Sequence, residues 1–358
     1  QMMSEIKQIE AVINPTETFL YAQSLTAQLP DQVAKQIKNS KFKKLSSTKF
    51  VLCQNGWGNA EKFSKFVPQE NIFSARIITG FICPERNKVE VTVHAQPLHL
   101  GSLYGEDLEG LMPLAQAFRE GGIPSVVTQD ISKDLWAKML YNCPLNALGA
   151  LLEVSYGLLG ENKNTRKIME LIVNEVFLVM YAMGYETHWN NSKSYLEDFY
   201  GKLLPSTYDH ESSMLQDLRA GKMTEIEAIN GVIVLQGEKR NILVPGNSMI
   251  RNLLEGVIEG YTVKMKIVFS HFPINVKVEG KQVLIENFQG ERAPRVTKIW
   301  GETKVVPKGD DVIITGHVLT DVTQTAAEIE NNSRVKNKDH RVFLDGVYKF
   351  EKKKGIEK

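Results

Sequence analysis

Apolar positions change period along the chain. Within residues 1–105 they come in short runs. Lys49-Phe50-Val51-Leu52-Cys53 is stopped by Gln54-Asn55-Gly56, the pattern of a buried parallel strand entering a loop. Arg76–Ile82 and Val89–His94 have strand composition, and the second alternates. Over residues 106–250 the spacing becomes helical. Ile168, Leu171, Ile172, Val176, Val179, Met180 and Met183 fall on one helical face, interrupted by Glu170, Asn174 and Glu175. Gly184 follows where a left-handed cap is expected. Strands and turns giving way to a helical block predict an α/β domain feeding an all-α one.

After about Gly260 the period changes again. Val263, Met265, Ile267 and Phe269 alternate with Thr262, Lys264 and Lys266, which predicts a strand. Ile274–Phe288 reads as two strands around Glu279-Gly280-Lys281. Thr320–Asn332 predicts a helix with Thr320 as N-cap and Val322, Ala326 and Ile329 on one face. Asp345-Gly346 between Val342-Phe343 and Val347-Tyr348 predicts a hairpin. The expectation is three domains: 1–105 α/β, 106–250 helical, and 251–358 a small α+β unit.

Composition narrows this little. The chain has 358 residues, 42% hydrophobic and 24% charged, ordinary for a globular protein and too apolar for a disordered one. No run approaches the roughly 18 uncharged apolar residues that span a bilayer, and the start has no apolar segment of a signal peptide; no membrane partner is expected. A chain opening on Gln1 is expected to be a fragment. Cys53, Cys83 and Cys143 are widely spaced with no Cys-x-x-Cys, which points away from a disulfide framework or metal site and toward the reducing cytoplasm. Net charge is +1, with a mild basic excess after residue 251 that permits a nucleic-acid partner.

The chemistry concentrates in Asp130–Leu148. On a helix, Lys138, Asn142 and Asn146 stand at i, i+4 and i+8 in one polar stripe. Trp136, Met139, Leu140, Tyr141, Leu145 and Leu148 cover the other faces. Polar groups in such company need hydrogen bonds, which either a ligand or a structural network supplies. Pro144 should bend this helix. His210–Gly231 is similarly dense in polar side chains, and by itself its acidic residues read as a solvated helix face.

Several motifs together carry a resemblance. They are Cys53-Gln-Asn-Gly-Trp-Gly-Asn59, Trp136-x-Lys-x₃-Asn-x₃-Asn146, Ser212-Ser-Met-Leu-Gln-Asp217, Gly221-Lys-x-Thr-Glu-Ile226 and Gly231–Asn247. Over about residues 10–250 the chain resembles the ketopantoate reductase (2-dehydropantoate 2-reductase) family. The resemblance implies a Rossmann-type domain, here partial, followed by an all-α domain like the 6-phosphogluconate dehydrogenase C-terminal domain. It implies NADP(H)-dependent reduction of a 2-oxo acid such as ketopantoate, in pantothenate and coenzyme A biosynthesis, and it allows an oligomer. Lys138 matches the family's general acid, and Glu225 the acidic residue holding the substrate hydroxyl. Asn142, Asn146 and Ser213 match substrate-binding positions, and Asn55 a position near the cofactor. Where the family often has Asn, this chain has Tyr156.

The family opens with strand, Gly-x-Gly-x-x-Gly and helix, the turn that receives the pyrophosphate. No Gly-x-Gly-x-x-Gly occurs in this sequence; Gly56-Trp57-Gly58 begins one, but Glu61 stands at the third position. The nucleotide domain is therefore expected to lack its first strand–helix repeats and its main phosphate anchor, and the chain to turn over poorly.

From about Arg251 a second resemblance begins. Asn252–Tyr261, Ser270-His-Phe-Pro273, Ile285-Glu-Asn-Phe288, Gly290–Arg295, Gln324–Glu330 and Arg341–Tyr348 resemble the C-terminal half of archaeal/eukaryotic large-subunit ribosomal protein six. That implies an α+β domain contacting ribosomal RNA, with Arg292, Arg295, Lys298, Arg334, Lys336, Lys338 and Arg341 as candidate phosphate contacts. Three readings stand: a reductase, an RNA-binding module, or a joined fragment with no combined function.

Overall fold

A computed structural model describes residues 13–14, 17–22, 48–85, 88–94, 96–336, 338–339 and 341–357; the start of the first resemblance, residues 10–12, lies outside them. The chain divides into two compact units, Gln1–Ser248 and Met249–Lys358.

In the first unit, strands β1 (Ile13–Asn14), β2 (Glu17–Ala22), β3 (Lys49–Leu52), β4 (Ile72–Arg76), β7 (Leu98–Gly101) and β8 (Ser125–Val127) form a sheet in that order. β2, β3 and β4 are parallel, β7 is antiparallel to β4, and β8 is parallel to β7. Successive side chains of β3 point to opposite faces, and both faces are covered. Phe50 and Leu52 pack with Ala60, Phe63 and Val67, while Val51 packs with Phe73, Leu100, Leu111 and Ala115. That is why the run reads as continuously apolar.

The expected strand Arg76–Ile82 is divided in two. Arg76 ends β4, and β5 (Thr79–Glu85) begins a separate hairpin with β6 (Lys88–His94). The apolar run does not show this break, because each part pairs with a different strand. Between them, Ile77 and Ile78 leave both sheets.

The helices are α1 (Asn59–Phe63), α2 (Met112–Glu120), α3 (Ile131–Leu152), α4 (Tyr156–Glu161), α5 (Lys163–Ala182), α6 (Ser192–Asp198), α7 (Ser213–Arg219), α8 (Val232–Glu238) and α9 (Pro245–Ile258). α3 is assigned as one helix through Pro144, and packs against α5 and α7. α5 is capped by Asn162, whose Oδ1 accepts from Asn164 N at 2.8 Å, and Gly184 beyond its end has φ 79°. Its buried face differs from the expected one. Leu171 is exposed, whereas Glu175 lies inside at 3% exposure.

In the second unit, β9 (Tyr261–Val268), β13 (Lys304–Lys308), β14 (Asp311–Gly316) and β15 (Gly346–Lys354) form one sheet, in the order β13-β14-β9-β15. β10 (Asn275–Glu279), β11 (Gln282–Glu286) and β12 (Arg295–Lys298) form another. Helix α10 (Leu319–Asn332) adds Val322, Ala326 and Ile329 to a core with Val263, Met265, Val283, Ile285, Phe288 and Val312. Thr320 is not its N-cap. The helix starts a residue earlier, from an extended Val318 and without a side-chain cap. The expected hairpin at Asp345-Gly346 is also absent. Val342 and Phe343 are not a strand, and β15 pairs antiparallel with β9. The Asp345 carboxylate, buried, accepts from Ser270 N at 3.0 Å, so a long-range contact takes the place of the local turn.

Candidate functional site

The loop after β3 carries Asn55 against the helices of the first unit. Gly56 has φ 93°, and a Cβ there would sit 2.2 Å from Ala228 O, so only glycine admits this approach. Trp57 N donates to that same carbonyl at 2.9 Å, and the Trp57 indole stacks 4.6 Å from Trp136 of α3. This seam brings together residues remote in sequence: Asn55 Nδ2 donates to Glu225 Oε2 at 2.7 Å. Beside them Lys138 Nζ donates to Ile77 O at 2.5 Å.

Lys138 is held well below an ordinary lysine, at about 8. Burial is the largest cause, and the nearby Arg76 guanidinium adds to it. Glu225 and Cys53 oppose it. An ammonium that yields its proton near neutral pH, beside a carboxylate, is the equipment of general acid catalysis.

The polar stripe of α3 is part network and part open. The Tyr156 hydroxyl, kept protonated by burial, donates to Asn146 Oδ1 at 2.5 Å. The side chain of Asn142, a residue 8% exposed, makes no hydrogen bond among the described residues, which leaves its amide open to a ligand. Ser213 is exposed on the first turn of α7, while its neighbour Ser212 caps that helix through Leu215 N at 3.0 Å. The Gln54 amide has both its nitrogen and oxygen buried without partners, next to Asn55 in the loop.

In the second unit Arg292, Lys298, Arg334, Lys336, Lys338 and Arg341 are exposed. Arg295 is committed to the fold. Its guanidinium is bidentate to Glu291 at 2.6 and 2.8 Å, donates at 2.9 Å to the carbonyls of Asn332 and Arg334, and lies 3.9 Å above the Phe288 ring. Arg341 pairs with Asp339 at 2.9 Å, Lys298 lies over Trp300, and Lys338 over Phe343.

The family model described as ketopantoate reductase PanE/ApbA C terminal matches residues 130–258, and the ribosomal protein L6 model matches residues 272–346. The 2-dehydropantoate 2-reductase of Aquifex aeolicus is 38% identical over 210 residues, covering 58% of this chain and 67% of that protein. The large ribosomal subunit protein uL6 of Methanosarcina mazei is 44% identical over 133 residues, 36% of this chain and 76% of that protein. The chain belongs to the ketopantoate reductase family in its first part and to the ribosomal protein L6 family in its last. Among solved structures, the 2-dehydropantoate 2-reductase of Geobacter metallireducens aligns at TM-score 0.60 and 24% identity, covering 67% of this chain and 77% of that one. A D-mandelate dehydrogenase complex with NADH aligns at 0.59 and 22%, over 67% of this chain and 78% of that one. At these identities the likeness is one of fold.

Of the first-unit positions that the reductase resemblance named, Asn55 and Glu225 are in direct contact, with Lys138 electrostatically coupled to Glu225. Asn142 and Asn146 follow Lys138 along α3. Ser213 makes no hydrogen bond with them among the described residues. The buried charges Arg76 and Asp134 escaped the sequence reading. Arg76 opens the run of strand composition Arg76–Ile82, and Asp134 lies within Asp130–Leu148 with nothing to single it out. Their only sequence signal is a charge at a position that the strand or helix pattern buries.

Proposed function

We propose that the first unit reduces a 2-oxo acid of the ketopantoate type to its 2-hydroxy acid with NADPH. The observation that carries this is the Lys138 ammonium, lowered to about 8 and coupled to Glu225, in a chain of this family. NADPH, when bound, supplies the hydride to the keto carbon. As negative charge grows on the keto oxygen, Lys138 Nζ stabilises it and delivers the proton that makes the hydroxyl. Glu225, fixed by Asn55, accepts a hydrogen bond from a substrate hydroxyl. Asn142 and the amide nitrogen of Asn146 offer hydrogen bonds to the substrate, and Ser213 closes the set. The Tyr156 hydroxyl fixes the orientation of the Asn146 amide.

The fit to the cofactor is partial. Asn55 and the unpartnered Gln54 amide suit the nicotinamide end. The glycine turn for the pyrophosphate is not in this sequence, so affinity is expected to be weak. NADPH oxidation on adding ketopantoate, at raised cofactor concentration, tests the reading; no ketopantoate-dependent oxidation at any cofactor concentration would end it.

For the second unit we infer contact with large-subunit ribosomal RNA, supported by its family and its exposed cations. Arg295→Ala is expected to destabilise the unit by about 1–3 kcal/mol. Arg334→Ala with Lys336→Ala should change stability by under about 0.5 kcal/mol, yet reduce the salt slope of RNA binding by about two. Urea unfolding and binding titrations across salt concentrations separate these. An unchanged slope would place the RNA contact elsewhere.

A further inference from the structure

The mechanism above leaves unused two buried charges on the elements that flank Lys138. Arg76 is 4% exposed and Asp134 6%. Arg76 closes β4 one residue before Ile77, whose carbonyl holds Lys138 Nζ at 2.5 Å. Asp134 lies one helical turn before Lys138 on α3 and faces Arg76 as its countercharge. Each Asp134 oxygen is already held, one by His99 Nδ1 at 2.7 Å and the other by His188 Nε2 at 2.8 Å. His99 stands opposite Arg76 in the β4/β7 register. Arg76 Nη1 donates to Gln96 Oε1 at 2.5 Å, and its Nε is buried without a partner.

A guanidinium sealed in with one donor unanswered is costly to hold, and a shorter neutral side chain would pack there at less cost. Its position gives the cost a purpose: it is a fixed positive charge on the residue adjoining Ile77, whose carbonyl holds the Lys138 ammonium. Resting on the reductase reading, we propose that Arg76 is a positioning residue for the proton transfer. Hydrogen-bonded to Gln96 and stabilised by the charge of Asp134, it repels the Lys138 ammonium and readies its proton for release. The groups facing Lys138 are then Arg76 from β4, Glu225 from the segment before α8, and Cys53 from the end of β3. Arg76 and burial act in one direction, the two acids in the other. Like charges in a site of low polarity have this effect on a lysine.

The test reads Lys138 directly, by ¹³C NMR titration of labelled lysines in the whole chain without substrate or cofactor, with Lys138→Arg assigning the resonance. Arg76→Gln, which removes the charge, is expected to raise the Lys138 midpoint by about one unit. Arg76→Lys, which restores it, should bring the midpoint back. A folded Arg76→Gln chain with an unmoved midpoint, or a charge-restoring variant that leaves it raised, overturns the proposal. Should Arg76→Gln fail to fold, Arg76→Met removes the charge while keeping an apolar stem and must raise the midpoint; a midpoint that stays or falls overturns it too. A purely structural Arg76 would change stability without these opposite movements. Because no turnover is required, a chain that reduces no 2-oxo acid but shows the shifts would end the reductase reading alone.

Discussion

Replacing Lys138 with alanine is expected to lower ketopantoate-dependent NADPH oxidation by about 10²–10⁴-fold, the range of a lost general acid. The loss should fall on kcat, because the proton moves as charge develops and not as substrate binds. In the unaltered chain the acid is the protonated amine, so turnover is expected to decline above pH about 8, where Lys138 gives up its proton. Lys138→Met carries the companion expectation for stability. An unfolded lysine holds its proton to about 10.5, whereas this one loses it near 8. Between those values the unfolded chain binds more protons, so the native protein gains stability as pH rises. Below about 8 the full penalty remains. Lys138→Met should therefore raise the thermal midpoint at pH 7 while abolishing turnover, with an advantage that shrinks as pH approaches 10.5. A variant that lost activity and stability together, with no pH trend, would mark Lys138 as structural.

Glu175→Ala is expected to cost about 3–5 kcal/mol, the penalty for removing one partner from a buried charged network. The carboxylate accepts from Gly246 N at 2.7 Å, Asn247 N at 2.9 Å and Asn247 Nδ2 at 2.7 Å. It thus answers donors of the first turn of α9, which Pro245 opens. Asn247 Oδ1 in turn accepts from Asn230 Nδ2 at 3.0 Å, and the same nitrogen donates to Cys143 O at 2.9 Å. Asn230, Asn247 and Cys143 are all fully buried, so water cannot replace the missing acceptor. Glu175→Gln keeps one acceptor oxygen but turns a donor toward those N–H groups, and should cost about 1–3 kcal/mol. Urea unfolding followed by tryptophan fluorescence measures both; Trp57 and Trp136 are buried in the first unit. A loss below about 1 kcal/mol for the alanine variant would mean that the network is not what caps α9.

Glu175 also illustrates where the sequence misleads. In the pattern it interrupts an apolar face, and an interruption reads as solvent. Helical spacing tells which residues share a face, but not which groups a distant loop will bring there. The same limit hid Arg76, whose strand pairs on one side and breaks off on the other, and it spoiled the hairpin expected at Asp345-Gly346. Local turn chemistry was outweighed there by pairing between β15 and β9, about 80 residues apart in sequence.

What the sequence determined by itself was carried by period and by ordered motifs. That includes the β3 run buried on both faces, the long helices α3 and α5, the alternating β9, and the two family memberships. The stripe of Lys138, Asn142 and Asn146 was legible too, because i, i+4 and i+8 are geometry within one helix. The tertiary structure alone decided which polar groups meet. Asn55 and Glu225 are 170 positions apart and share a hydrogen bond. Asn146 is answered by Tyr156 while Asn142 is left open, and Arg295 belongs to the fold where Lys336 is free to face solvent. The reason is physical. Hydrophobic burial is set by composition along a segment, and so leaves a periodic trace. A hydrogen bond or a buried charge is set by one neighbour in space, and that neighbour exists only once the chain has closed on itself.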